Sequence, residues 1–371
     1  MSAVVDLRKT DDPRDAVHRA VQLLSQGHMV AFPTETVYAA CVHALAGPAV
    51  QKLSASWNDA AAPHPSLILK GFQEAIDYVP SMDRLSQRLA RRCWPGPVTL
   101  AFPVDETGLF AALPAETRGA LAPDQRLWIR VPVHECIQAA LRLMAAPLVA
   151  GSERGQDGRP LITAAGVLEA LDDDVELVID DGECRYAEPA TVVEVKEGSW
   201  SIVQPGVVTE TMIRRLACEV FLFICTGNTC RSPLAEGFCR KMLSDRLSCA
   251  EDELADHGYM VLSAGISAER GLPASPESVK VARRFGIDLR AHESQPVTDR
   301  LLEQADRIFT MTQGHHDSLL ASNPRLAGRI ELLARDKSDI LDPIGAGQQE
   351  YEICQVEIER NLRAILETLP G

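Results

Sequence analysis

Nine residues constrain this chain more than any others: Cys225-Thr226-Gly227-Asn228-Thr229-Cys230-Arg231-Ser232-Pro233. The apolar run before them, Val220-Phe221-Leu222-Phe223-Ile224, reads as a parallel strand buried on both faces. The segment after the loop reads as a helix with Ser232 at the N-cap and Pro233 at its first position. A cysteine thus ends a strand, a short loop turns, and a helix N-terminus points back at it. Backbone N–H groups and the helix dipole make such a loop an anion site. The same field favours a thiolate over a thiol. The spacing Cys-x5-Arg-Ser adds a guanidinium that can grip two phosphate oxygens. Gly227 and Asn228 are residue types that tolerate positive φ, which turning several N–H groups inward requires. Thiolate, anion cradle and clamp together imply phosphoryl transfer through a cysteinyl-phosphate.

A chain of 371 residues exceeds one ordinary core and implies two domains. Its net charge of −15 argues against non-specific binding to nucleic acid or to anionic membrane. No apolar run approaches the ~18 residues of a membrane span. Met1 to Lys9 lacks an apolar segment behind a basic start, so no signal peptide is expected. The ten cysteines are scattered without paired spacing, which points to a reduced cytoplasm with free thiols. No Cys/His cluster has zinc-site spacing, and neither a metal nor another cofactor is expected.

The N-terminal half, residues 1–217, begins with a short strand at Val4-Val5-Asp6 and a helical pattern from Ala16 to Leu24 that Gly27 stops. Five phrases come next: Pro33-Thr34-Glu35-Thr36-Val37-Tyr38, Cys93-Trp94-Pro95-Gly96-Pro97, Leu127-Trp128-Ile129-Arg130-Val131-Pro132, Glu188-Pro189-Ala190-Thr191 and Val203-Gln204-Pro205-Gly206. Strands and short helices alternate irregularly, which reads as α/β with a mixed sheet. In that order the phrases resemble the YrdC-like threonylcarbamoyl-AMP synthases of tRNA modification, over about residues 3–215. The resemblance implies a concave sheet that binds ATP, threonine and bicarbonate through basic residues. The family's Lys-x-Arg pair is missing, however: no Lys or Arg lies between Ala55 and Leu69, a stretch that includes Ser56-Trp57-Asn58-Asp59. Its Ser-Ala-Asn phrase stands as Ser152-Glu153-Arg154, and its Arg-Pro-Gly as Gln204-Pro205-Gly206. Losing three charged contacts of about 1.5–3 kcal/mol each removes most affinity for a triphosphate. The domain is therefore expected to lack synthase activity, with ATP and threonine binding not expected. It reads as a retained scaffold or a ligand sensor with an altered pocket.

A closing helix over residues 209–216 leads into the second domain, residues 218–371. Strands are expected at 220–224, 259–263, 306–311 and 329–333. Helices are expected at 232–247, 275–286, 298–304, 313–321 and 349–368. This alternation implies a four-stranded parallel sheet with helices on both faces, and a ligand at the C-terminal strand ends, where Cys225 falls. The half resembles the low-molecular-weight protein-tyrosine-phosphatase family. Besides the loop, the likeness rests on Ser263-Ala264-Gly265, Gly286-Ile287-Asp288, His292, Thr310-Met311-Thr312, His315 and Asp339-Ile340-Leu341-Asp342-Pro343. It implies Cys225 as nucleophile, Arg231 as clamp on the equatorial oxygens, and Asp342 as general acid and then base. Thr226, Gly227, Asn228, Thr229, Cys230 and Ser232 form the phosphate loop, Ser232 also bonding the thiolate, and His292 braces Asn228. Cys230 could close a protective disulfide with the nucleophile under oxidation. His315 and His316 read as a solvated or helix-start pair.

The substrates implied are phosphorylated proteins. Thr229 stands where tyrosine phosphatases of the family carry an aliphatic residue and where the resembling bacterial arginine phosphatases carry threonine. Ile344 stands where the family often has an aromatic. Phosphotyrosine and phosphoarginine both stay open. Arsenate reductase shares the loop, but it needs two further relay cysteines and none lies between Cys249 and Cys354. A nucleotide-dependent N-terminal module and a pure interaction protein are the remaining alternatives.

Overall fold

The computed structural model describes residues 2–55, 65–151, 158–171 and 174–369. Within them the chain divides into two compact units, Met1–Leu216 and Ala217–Gly371. The sequence departures at 56–63 and 152–154 lie outside the described residues.

The first unit contains strands β1 (Ala3–Asp6), β2 (Val30–Phe32), β3 (Ala39–His43), β4 (Ser66–Ile68), β5 (Val98–Pro103), β6 (Arg126–Arg130), β7 (Leu148–Gly151), β8 (Leu177–Asp180), β9 (Thr191–Lys196) and β10 (Ser199–Gln204). They form one ten-stranded sheet in the order β1-β8-β2-β3-β7-β4-β6-β5-β9-β10. The sheet is mixed: β5 runs parallel to β9 and antiparallel to β6. Between β9 and β10, Glu197 and Gly198 both take positive φ (48° and 76°), the geometry of a tight two-residue hairpin. The helix Pro13–Ser25 starts at Asp12, whose side chain accepts the Arg14 N–H, and gives way at Gly27 with φ 84°. It buries Val17, Ala20 and Leu24 against Phe32, Cys41, Leu148 and Leu177.

The second unit holds β11 (Glu219–Cys225), β12 (Tyr259–Gly265), β13 (Arg307–Thr310) and β14 (Ile330–Leu332). All pairs are parallel, in the order β12-β11-β13-β14. The period of two along β11 explains why its apolar run is continuous. Phe221, Phe223 and Cys225 join one core with Phe238, Leu243, Ile358 and Leu362, whereas Val220, Leu222 and Ile224 join the opposite core with Leu302, Leu319 and Leu326. The connections from β11 leave to different sides, β12 pairing on one edge and β13 on the other, so a cleft opens at its C-terminal end. The helix after the loop runs Arg231–Leu247, one residue earlier than expected, with Cys230 and not Ser232 at the N-cap position. The end of the loop is already helical, and Pro233 still falls in the first turn, where its missing N–H costs no bond. Ser232 is thus released from capping, and its hydroxyl turns to the cysteine instead.

Candidate active site

The loop after β11 is held by its carbonyls. Cys225 O and Thr226 O accept the N–H groups of Ile266 and Ser267, both at 2.9 Å, and Thr229 O accepts that of Ser275 at 2.8 Å. Asn228 O accepts from His292 Nε2 at 2.8 Å, which fixes a proton on that nitrogen because a carbonyl can only accept. With these carbonyls engaged outside, the loop turns the Asn228 N–H toward the cysteine. The Asn228 N–H lies 3.2 Å from Cys225 Sγ. Gly265 permits this close packing: a Cβ there would stand 2.5 Å from Thr226 O and 2.8 Å from Asn228 N.

Asn228 adopts φ 54°, the left-handed conformation that asparagine tolerates, and is fully buried. Its amide donates to Ser232 Oγ at 2.9 Å and Ser263 Oγ at 2.8 Å, and its Oδ1 accepts the Gln295 N–H at 2.9 Å. Ser263 in turn donates to Glu236. Ser232 Oγ lies 3.0 Å from Cys225 Sγ. As a thiolate, Cys225 accepts from both the Asn228 N–H and the Ser232 hydroxyl. Cys225 is 2% exposed. Cys230, also a free thiol, packs 3.4 Å from the Tyr351 hydroxyl.

Arg231 is 4% exposed. Its Nη1 donates to Ile340 O and its Nη2 to Thr226 Oγ1, both at 3.2 Å, and Nη2 also pairs with Asp342. Its Nε is buried and has no hydrogen-bond partner among the described residues. Asp342 is 38% exposed on its side chain, and its Oδ1 accepts the Ile344 N–H at 3.2 Å. It sits at a tight turn closed by Ala346 N–H to Pro343 O, with Gly345 at φ 77°. Asp339, three residues earlier, is committed elsewhere: it accepts the Gln313 N–H at 2.7 Å at a helix start.

Sequence reasoning places His315 in the likeness and at a helix start but misses its contact with the loop. His315 does open the helix Gln313–Ser322, yet it is not a solvated bystander. Its Nε2 lies 3.0 Å from Thr226 Oγ1, and burial together with the nearby Arg231 charge pushes its pKa below the ordinary histidine value. Only His316 behaves as the surface partner expected, paired with Asp317 at 3.0 Å. No short-range pattern reveals a contact across 89 residues. Tyr351 and Glu236 escape notice for the same reason.

In the first unit, Arg130 ends β6 and is 3% exposed. Its Nη2 pairs with Glu35 at 3.1 Å, and Glu35, 8% exposed, also accepts the Val133 N–H at 2.9 Å. Thr34 and Thr36 hydroxyls accept from the same guanidinium. The phrases at 33–38 and 127–132 therefore meet around an ion pair compensated inside the protein. Among the described residues, no group of three or more His, Cys, Asp or Glu is placed to hold a metal ion, and no helix is long and apolar enough to cross a membrane.

The Cys225 loop, the buried Arg231 guanidinium and the Asp342 carboxylate on its turn lie together at the end of β11, and comparison with known proteins gives the lineage. The family model described as "Low molecular weight phosphotyrosine protein phosphatase" matches residues 220–370. A probable low molecular weight protein-tyrosine-phosphatase EpsP of Ralstonia solanacearum is 32% identical over 147 residues, 39% of this chain and 92% of that relative. A protein-arginine-phosphatase of Bacillus subtilis is 33% identical over 152 residues, 40% of this chain and 95% of that relative. Through its C-terminal unit the chain belongs to the low-molecular-weight phosphotyrosine protein phosphatase family. The N-terminal unit matches, over residues 22–206, the Sua5, YciO and YrdC family model described as "Telomere recombination". A threonylcarbamoyl-AMP synthase of Pyrococcus abyssi is 30% identical over 203 residues, 54% of this chain but only 57% of that relative. A solved double variant of Pyrococcus abyssi Sua5 shares the fold, with TM-score 0.51 at 17% identity, covering 98% of this chain and 97% of its own.

Proposed function

We propose that the C-terminal unit removes phosphate from phosphorylated side chains of proteins through a cysteinyl-phosphate on Cys225, with Arg231 as clamp and Asp342 as general acid. The convergence on one loop of Cys225 Sγ, the Asn228 N–H and Ser232 hydroxyl that face it, and the buried Arg231 guanidinium carries this reading. In the first step Cys225 Sγ attacks phosphorus, the bond to the side chain breaks, and Asp342 gives its proton to the departing oxygen or nitrogen. An incoming phosphate dianion takes over Arg231, frees Asp342 and favours its protonated form by repulsion. In the second step Asp342 takes a proton from water, water attacks phosphorus, and the thiolate leaves. All ten cysteines are free, which suits a reducing cytoplasm. The relay cysteines of an arsenate reductase are not supplied by Cys354, which lies in the helix Gln348–Leu366 with its thiol pushed up to about 12 by burial.

Within that class, phosphoarginine is the substrate we favour over phosphotyrosine. Thr229 places a hydroxyl in the loop that can bond a guanidinium leaving group or the attacking water. The rim beside Asp342 is aliphatic, with Leu341 70% and Ile344 67% exposed, and offers no ring to stack on a phosphotyrosine. Profiling the full-length protein on phosphotyrosine and phosphoarginine peptides, with Cys225→Ser as blank, tests this. Thr229→Ile is expected to lower kcat/KM for phosphoarginine about tenfold, the scale of one hydrogen bond to a charged group. The same change spares or raises aryl phosphate turnover, and an unchanged ratio between the two substrates refutes the assignment.

For the N-terminal unit we infer a retained scaffold without synthase activity. The missing Lys-x-Arg pair and the Gln204 in place of arginine support this, because a triphosphate needs several fixed cations. Isothermal titration with ATP is expected to give no micromolar binding. A clear micromolar isotherm would restore the nucleotide-dependent reading.

A further inference from the structure

The Thr226 hydroxyl stands between two groups that compete for its lone pairs and its single proton. Arg231 Nη2, which can only donate, gives it a hydrogen bond at 3.2 Å. His315 Nε2 lies on its other side at 3.0 Å. The ring is pinned at its far end, where Nδ1 lies 2.9 Å from Thr312 Oγ1, and that oxygen also accepts the His315 N–H as the helix cap. A neutral His315 with its proton on Nδ1 accepts the Thr226 proton at Nε2, and the hydroxyl's single proton is then used. A protonated His315 donates at both nitrogens. Thr226 Oγ1 must then accept from His315 and Arg231 together, and its own proton is released for an oxyanion.

We propose that His315 is a positioning residue that fixes the Thr226 hydroxyl and, through it, the Arg231 guanidinium, and that it takes up a proton when a dianion enters the Cys225 loop. The inference rests on the phosphate-site reading above and deepens it. The charged groups facing the ring are Arg231 at the start of its helix and Asp339 and Asp342 on the acid turn. On its own helix, His316 and Asp317 pair with each other. Burial and then Arg231 hold the ring neutral in the empty site, against Asp342 and Asp339. A dianion screens Arg231 and adds negative charge, so the protonated ring becomes favoured. By linkage, the dianion must then bind more tightly as pH falls through the histidine range.

Sulfate is the probe, because it keeps its charge through the neutral and mildly acidic range. The Cε1–H resonance of His315 in the full-length protein, assigned by its disappearance in His315→Gln, is titrated with and without saturating sulfate. Its midpoint is expected to rise with sulfate, and an unmoved midpoint overturns the proposal. Sulfate affinity is then measured by calorimetry. His315→Ala is expected to weaken it about three- to tenfold near neutral pH, the scale of a lost hydrogen bond in a charged network. His315→Gln, which keeps a polar end but cannot titrate, restores affinity near neutral pH without its steepening in acid. Thr226→Val is expected to match His315→Ala, and the double variant to be no worse than either. Additive losses contradict the relay. None of these readings requires turnover. Absence of turnover in a protein whose His315 responds to sulfate therefore refutes the phosphatase assignment and supports this one.

Discussion

Replacing Cys225 by serine is expected to lower turnover of aryl phosphates and phosphopeptides by on the order of 10⁴-fold or more, the scale of losing a nucleophile in a covalent mechanism. The Asn228 N–H and the Ser232 hydroxyl face Cys225 Sγ, and a serine hydroxyl in that place is a far weaker nucleophile than a thiolate. The cradle itself does not depend on sulfur. Its carbonyls are held by Ile266, Ser267, Ser275 and His292, and Arg231 by Ile340 and Thr226. Sulfate affinity and the melting temperature should therefore stay close to those of the parent protein. Comparable loss of sulfate binding would show that the serine had collapsed the loop and not merely removed the nucleophile.

Asp342→Asn has the second largest effect, about 10²–10³-fold in kcat, within the usual range for general acid–base catalysis. The loss depends on the leaving group. Phosphotyrosine and phosphoarginine need a proton as the bond breaks and should lose most; an aryl phosphate with a strongly acidic phenol should lose least. The same substitution should tighten sulfate binding several-fold, because the carboxylate that pairs with Arg231 in the empty site competes with any anion for that guanidinium. A neutral amide competes less. Equal losses across leaving groups would shift the acid role away from Asp342. Asp339 would then be the next residue to test, although its bond to the Gln313 N–H holds it at the helix start.

The parallel sheet of the C-terminal unit is legible in the sequence because strand and helix segments alternate regularly from β11 to β14 and β11 itself is a continuous apolar run. Local geometry near chain-adjacent residues is legible too: Asn228 takes the positive φ its type suggests, and Ser232 reaches the sulfur. The expected cap position is off by two residues, since Ser232 satisfies the cysteine and leaves Cys230 to precede the helix. His315 is misjudged from sequence because what defines it is a contact to Thr226 on another element. In the N-terminal unit a mixed sheet can be expected, but not its order, because β7 pairs with β3 and β4 through contacts far apart in sequence. The meeting of Arg130 with Glu35 is equally non-local.

The central claim is that phosphate passes through Cys225. Acid-quenching the full-length protein during turnover of a phosphoarginine or phosphotyrosine peptide, then mapping its peptides by mass spectrometry, tests this most directly. Phosphate bound to Cys225, absent in Cys225→Ser, is expected. Turnover that persists in Cys225→Ser, or phosphate trapped on another side chain, would contradict it.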